Sequence, residues 1–205
     1  MFSDSIVVLA LNSYNHFSIL SSVIHEMWAW KNCSTMGAST LRYSPTNALE
    51  TFPFPMTNSR ELLDIGRSLD GLRKKIMTEA DIGLTELYNM FHNPNLKGNS
   101  ELQADILHLR DLHSHLDKIV LEAYGWPEIS LMHDFYQMEY LPENDRIRLS
   151  VHPDARKEIL KRLLAMNHKK YNEEIVSHPV TPKKGKSFQK ATFKTDDLFS
   201  ALEDN

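Results

Sequence analysis

The sequence predicts a mainly α fold: a small α/β head of strand, helix and extended segment, then an antiparallel helical bundle, then a disordered C-terminal tail. Three observations carry this expectation. Apolar residues recur at helical spacing along three long stretches beyond residue 57, prolines crowd residues 45–55, and charge segregates into blocks only beyond residue 177. The expected divisions are 1–56 for the head, 57–176 for the helical domain and 177–205 for the tail.

The head opens on Ile6-Val7-Val8-Leu9-Ala10-Leu11, a continuous and partly β-branched apolar run of the kind that fills a central strand. Such a strand needs partners on both edges, and only residues 41–54 offer extended backbone nearby. The head is therefore expected to be the end of a larger domain. Asn12 to Asn15 is a turn cluster that also supplies an N-cap, and Phe17, Leu20, Ile24, Met27 and Trp28 then predict one helix from about His16 to Trp30. Cys33 to Thr40, with Gly37 and several hydroxyl residues, reads as a surface loop. It leads into an extended stretch from Leu41 to Phe54. Pro53 and Pro55 bracket Phe54, fix φ near −65° and remove two backbone donors, so Thr51 to Pro55 cannot be helical.

From Thr57 the character changes. Thr57 or Asn58 is placed to cap a helix whose inner face is Leu62, Leu63, Ile65, Leu69, Leu72 and Ile76, weakened but not ended by Gly66 and Gly71. Leu84 to His92 is a short helix, and Asn93 to Asn99 a loop. Ser100 with Gln103 forms a capping box for a helix from about Glu101 to Tyr124, with Leu102, Ile106, Leu109, Leu112, Leu116, Ile119, Val120 and Ala123 inward. Gly125 before Pro127 stops it, and Trp126 supplies a large buried ring at the corner. Ile147 to Val151 alternates as a half-buried strand does. Pro153 starts a last helix, from about Asp154 to Glu174, which turns Ile159, Leu160, Leu163 and Leu164 inward. Residues 177–195 hold five lysines and no acid, and residues 196–205 hold four acids and no base, the composition of a disordered tail. Leu198, Phe199 and Leu202 there have helical spacing and offer a partner-dependent helix.

The formal charge of −4 argues against a surface devoted wholly to nucleic acid but permits a local basic patch. Cys33 is the one cysteine, which removes both an intrachain disulfide and a cysteine zinc cluster and suits a reducing cytoplasm. No apolar run reaches the roughly 18 residues of a membrane span, and Met1-Phe2-Ser3-Asp4 lacks the basic start of a signal peptide. A cytoplasmic protein with no membrane partner is expected.

No catalytic constellation is evident. The seven glycines never take the spacing of a phosphate or cofactor loop. Cys33 lies near His25 in sequence but has no third group to orient a base. His113 and His115 lie on different faces of one helix, and His108 completes no ligand set with them, so no metal is expected and hydrogen bonding between helices is the better reading. The acids stand at i, i+3 and i+4 to basic residues, as on a solvated face. Three basic groups invite a nucleic-acid reading: Arg73-Lys74-Lys75, Arg42, and Lys183-Lys184-Gly185-Lys186 in the tail. Arg42 stands out, since Tyr43, Ser44, Thr46 and Asn47 follow it and an arginine fork among such groups suits a phosphate or a guanine edge. An ion pair between Arg42 and Glu26 is the structural alternative.

His25-Glu26-Met27-Trp28-Ala29, then Ser39-Thr40-Leu41-Arg42-Tyr43-Ser44-Pro45, then Glu50-Thr51-Phe52-Pro53-Phe54-Pro55 resemble the end of the target-recognition domain of MmeI-like DNA adenine methyltransferases. These are long restriction-modification enzymes with relatives in the BREX and DISARM phage-defence systems. Leu87 to His92, Leu109 to His113 with Leu116-Asp117, Val120 to Trp126 and Glu158 to Asn167 are similar to the helical domain that follows it, and the resemblance covers about Ile6 to Glu174. It implies S-adenosylmethionine as cofactor of the parent enzymes, bound by a catalytic core whose glycine motif and Asn-Pro-Pro-Tyr motif are absent here. Asn93-Pro94-Asn95-Leu96 is no substitute, because the catalytic tetrad must end a strand and stack on a flipped adenine. The resemblance therefore implies a DNA-specificity and packing portion, not catalytic alone, with DNA and a catalytic methyltransferase core or upstream-encoded subunit as partners. Arg42, Tyr43, Ser44, Thr46, Asn47, Arg73, Lys74 and Lys75 are the expected DNA contacts. The alternative is a helical interaction module or split subunit that docks on such a core.

Overall fold

The computed structural model describes residues 9, 11, 13–36, 40–56, 59–98 and 100–177. They form a mainly α protein with two small antiparallel strand pairs. The helices are α1 (Tyr14–Ser21), α2 (Val23–Asn32), α3 (Arg60–Glu79), α4 (Leu84–Phe91), α5 (Glu101–Ala123) and α6 (Pro153–Ser177). The strands are β1 (Ser34–Met36), β2 (Thr40–Arg42), β3 (Asp134–Gln137) and β4 (Ile147–Ser150). One compact unit spans Met1–Tyr171, and Asn172–Asn205 forms a second, whose described residues belong to α6. The strand expected over Ile6–Leu11 falls, apart from Leu9 and Leu11, outside the described residues, as do the tail beyond Ser177 and its lysines.

The single helix expected over His16–Trp30 is two helices broken at Ser22. Ser22 is extended, at φ −78° and ψ 155°, and its hydroxyl donates to the Ile19 carbonyl at 2.6 Å and accepts from the His25 N–H at 3.4 Å. Serine thus ends one helix and caps the next, which its short side chain does better than continuing a helix. The next N–H, that of Val23, finds an acceptor in the Asp117 carboxylate at 2.8 Å.

Part of the loop expected over Cys33–Thr40 is strand. β1 pairs with β2 in the register Ser34↔Arg42, Thr35↔Leu41 and Met36↔Thr40. The extended stretch expected over Leu41–Phe54 is interrupted by a π-helical turn at Pro45–Leu49. Pro45 opens that turn, where its missing N–H costs nothing, whereas Pro53 and Pro55 act only downstream. Residues 52–55 are non-helical, as the proline bracket requires. Phe52 is 1% exposed and meets the rings of His25 at 4.6 Å and Phe54 at 5.0 Å.

α3 is capped by Ser59, which accepts from the Leu62 N–H at 3.0 Å; Thr57 and Asn58, the expected caps, lie outside the described residues. Leu62, Ile65, Leu69 and Ile76 are buried along its inner face. Gly66 sits where α1 crosses: a Cβ there would collide with the Ser18 hydroxyl oxygen and come within 2.8 Å of the Tyr14 carbonyl. Gly66→Ala is therefore expected to destabilise the protein by about 1–3 kcal/mol, although alanine is the better helix former by roughly 1 kcal/mol. A urea titration that finds the variant more stable would refute this close approach.

α5 runs antiparallel to α3, so that Lys75 late in α3 reaches Asp105 early in α5 at 2.7 Å. Ser100 caps it by accepting from the Gln103 N–H, and Gly125 leaves it at φ +75°, the left-handed conformation glycine takes without strain. Trp126 is half-buried rather than fully buried, stacked on Tyr124 at 4.7 Å, with the Arg162 guanidinium 5.5 Å from the centre of its ring. β4 lies where alternation predicts it. Its partner β3, with Phe135↔Leu149 and Tyr136↔Arg148, has too short and polar-flanked a pattern to announce itself. The core is continuous from Ile24, Trp28 and Phe52 through Leu62 and Leu69 to Leu109, Leu116 and Leu163. Long-range polar contacts lock it, including the Asn167 amide donating to the Thr51 carbonyl at 2.6 Å across 116 residues.

Candidate functional site

Two places on the molecule gather chemistry-bearing side chains. The first is the stretch after β2, which holds most of the expected DNA contacts. Arg42 is exposed on β2, and no ion pair joins it to Glu26 among the described residues. Glu26 faces elsewhere, so the structural alternative for Arg42 is not realised. Tyr43 is half-buried, its hydroxyl 3.0 Å from His25 Nε2, and anchors the segment from beneath. Ser44 and Thr46 hydrogen-bond to each other through their hydroxyls at 2.9 Å, and the Asn47 carbonyl accepts from the Thr51 hydroxyl. Arg42, Thr46 and Asn47 therefore remain accessible on a segment held rigid by the buried side.

The α3 triplet is not a patch. Arg73 turns inward, where its Nε donates to the Tyr88 hydroxyl at 2.7 Å and its guanidinium carbon lies 5.0 Å from that ring. Lys74 pairs with Asp70 at 2.7 Å, and Lys75 with Asp105 at 2.7 Å and Glu79 at 3.8 Å. The structure thus separates Arg73 from its neighbours and neutralises both lysines.

The second place is a cleft of about 520 Å³ walled by residues of all five helices α1–α5 and of the β3–β4 region. Arg73, Tyr88, His113, His92, His133 and Asp117 line it, together with Glu26, Trp30, Tyr140 and Arg148. Sequence spacing gave no hint of it, because its groups come from separate elements and meet only through the tertiary fold. Asp117 is 4% exposed; one oxygen accepts from the Val23 N–H at 2.8 Å and the other lies 2.9 Å from His133 Nε2. Burial raises its pKa, and the His133 hydrogen bond opposes that rise. Glu26 lines the cleft and is exposed to solvent. Loss of hydration and then the nearby Asp117 raise its pKa, against Arg156 and Arg148. Buried Asp117 departs from the expected pattern of acids along solvated helix faces.

Three histidines around the cleft and the Phe52 cluster are held neutral. Burial lowers His25 to about 4, and it lowers His92 and His113 to about 3 with help from Arg148 and Arg73 respectively. Hydrogen bonds fix the tautomers of His113 and His92. The Tyr88 oxygen accepts from Arg73, so its proton goes to His113 Nε2 at 2.8 Å, which leaves the His113 proton on Nδ1. His92 Nδ1 accepts from the Leu149 N–H at 3.2 Å, which places its proton on Nε2. His113 thus joins two helices by a hydrogen bond, and no group of three or more histidine, cysteine, aspartate or glutamate side chains suited to a metal ion occurs among the described residues. Cys33 accepts from the Ser44 N–H at 3.3 Å.

Compared with protein-family models, with curated proteins and with solved structures, the chain matches none of them.

Proposed function

We propose that this chain is the DNA-specificity and packing portion of an adenine-specific DNA methyltransferase and acts with a catalytic core that binds S-adenosylmethionine. The observation that carries this reading is convergence. The stretches that resemble the family lie far apart in sequence, yet they meet along one seam. His25 touches Tyr43 and Phe52, Trp28 Nε1 donates to the Thr51 hydroxyl at 3.1 Å, Phe52 faces Tyr124 at 6.5 Å, and Asp117 caps α2. The shared words are therefore those that hold a recognition segment against a helical support. On this reading Arg42, Ser44, Thr46 and Asn47 face DNA, and Tyr43 positions them.

The test uses the full chain with its catalytic core. Arg42→Ala is expected to weaken duplex binding by about 1–3 kcal/mol if Arg42 reads a base, or to lower the salt slope by about one if it meets a phosphate. Fluorescence anisotropy across a salt series separates the two. The chain by itself should transfer no methyl group from labelled S-adenosylmethionine to DNA. Methylation by the isolated chain, or duplex affinity indifferent to both Arg42 and salt, would overturn the reading.

A further inference from the structure

β1 and β2 form an antiparallel ribbon whose two faces differ. Paired residues share a face and neighbours along a strand alternate, so the register Ser34↔Arg42, Thr35↔Leu41, Met36↔Thr40 sets Ser34, Met36, Thr40 and Arg42 on one face. Thr35 and Leu41 take the other. All four residues of the first face are exposed, Met36 to 62%, whereas Leu41 is half-buried. The ribbon is therefore open on its Arg42 face. A two-stranded pair is by itself only marginally stable in water, so such a ribbon gains order from a partner that encloses it.

The chemistry of the open face identifies the partner. Between Glu26 and Glu50 the chain carries Lys31 and Arg42 and no acid, and neither cation makes an ion pair among the described residues. The local charge complements a polyanion. The face holds no tryptophan or tyrosine to anchor a protein interface. It offers instead an arginine fork, two hydroxyls and an apolar thioether, which suit a guanine O6/N7 edge, the polar edges of neighbouring bases and a thymine methyl group. Width decides the groove. Two strands about 4.8 Å apart, with their side chains, fit the roughly 12 Å of the DNA major groove and not the roughly 6 Å of the minor groove. The deep, narrow major groove of duplex RNA excludes them.

We infer that the β1–β2 ribbon enters the major groove of duplex DNA, with Arg42 on a guanine edge, Ser34 and Thr40 on neighbouring polar edges and Met36 against a thymine methyl group. This rests on the DNA-specificity role proposed above and deepens it. Ser34, Met36 and Thr40, from a segment that the sequence presents as a loop, join Arg42 in reading bases.

Selection by the full chain from DNA duplexes randomised over a central window supplies the probe. The duplex recovered most often is remade with 7-deazaguanine, which removes the major-groove N7 acceptor, or with hypoxanthine, which removes the minor-groove amino group. Fluorescence anisotropy then reads affinity. The 7-deazaguanine duplex is expected to bind the parent chain about tenfold more weakly, and the hypoxanthine duplex within about twofold of the original. Arg42→Gln loses about tenfold on the original duplex and no longer responds to 7-deazaguanine, a coupling that a folding defect would not produce. Ser34→Ala combined with Thr40→Val changes the selected sequence while the circular-dichroism melt stays unchanged. No duplex binding at all overturns the DNA-specificity reading and the inference with it. Salt-dependent binding without a preferred sequence, or indifferent to the ribbon variants and to 7-deazaguanine, leaves that reading standing and overturns the ribbon's part in it. Sensitivity to hypoxanthine alone, or equal affinity for an RNA duplex of the same sequence, overturns the ribbon's part as well.

Discussion

Asp117→Ala is expected to cost about 2–6 kcal/mol, roughly 1–3 kcal/mol for each of the two buried partners it leaves unsatisfied. The substitution removes two hydrogen bonds together, leaving the Val23 N–H without its acceptor and His133 without its partner. Small domains are stable by only about 5–15 kcal/mol, so this one change takes a large share of the total. Asp117→Asn keeps the shape and the acceptor for Val23 and should recover roughly half of the loss. Urea titrations of both variants read the effect as a fall in midpoint at constant slope. A midpoint for Asp117→Ala within 1 kcal/mol of the parent, at about that order of precision, would show that α2 does not depend on its distant cap.

The second large effect is acid lability. His25, His92 and His113 are lowered to about 4, 3 and 3, whereas the unfolded chain titrates each near the ordinary 6.5. The unfolded state therefore takes up protons first as pH falls below 6.5. The stability these rings contribute is complete above that pH and is lost on the way down, to about 4 for His25 and about 3 for the other two. Each contributes at most about 1.4 kcal/mol per pH unit, so the three together set a ceiling of about 4 kcal/mol per unit. Glu26 and Asp117 act in the opposite sense, since their raised pKa values favour proton uptake by the folded state and offset part of the slope. Unfolding midpoints at pH 7, 6 and 5 should fall steeply, and His113→Gln should flatten the profile. A midpoint level from pH 7 to 5 would contradict the assignment of neutral rings.

The parts of the fold that local sequence dictates were legible. α5 is bounded by Ser100 and Gly125, its apolar period is unbroken, and those signals act within a few residues of one another. α3 and α6 followed in the same way. The break at Ser22 was not legible, because the acceptor that rewards it, Asp117, lies 94 residues from Val23. β3 escaped for a related reason: Asp134-Phe135-Tyr136-Gln137 becomes a strand through β4, not through its own alternation. Gly66 looked like a weakness of α3 and is instead the place where α1 comes close.

The same contrast applies to the two candidate sites. Arg42, Thr46 and Asn47 fall within six residues, are exposed and are readable from their chemistry. Arg73 was readable only as one of three basic neighbours, and the helix turn that points it at Tyr88 rather than at solvent separates it from Lys74 and Lys75. The cleft has no linear signature at all. Glu26 and Asp117 each resemble ordinary helix acids until the fold brings them to one wall.

The bond from Asn167 to the Thr51 carbonyl sets an order of events during synthesis. The Thr51 to Pro55 segment is synthesised before the amide that holds its backbone, which follows 116 residues later. Until then the backbone at Thr51, next to the buried Phe52, lacks that hold. Long-range closures of this kind slow folding and expose apolar surface to aggregation. Truncations that end before Asn167 are expected to accumulate in the insoluble fraction, as a sedimentation assay of the expressed fragments would read.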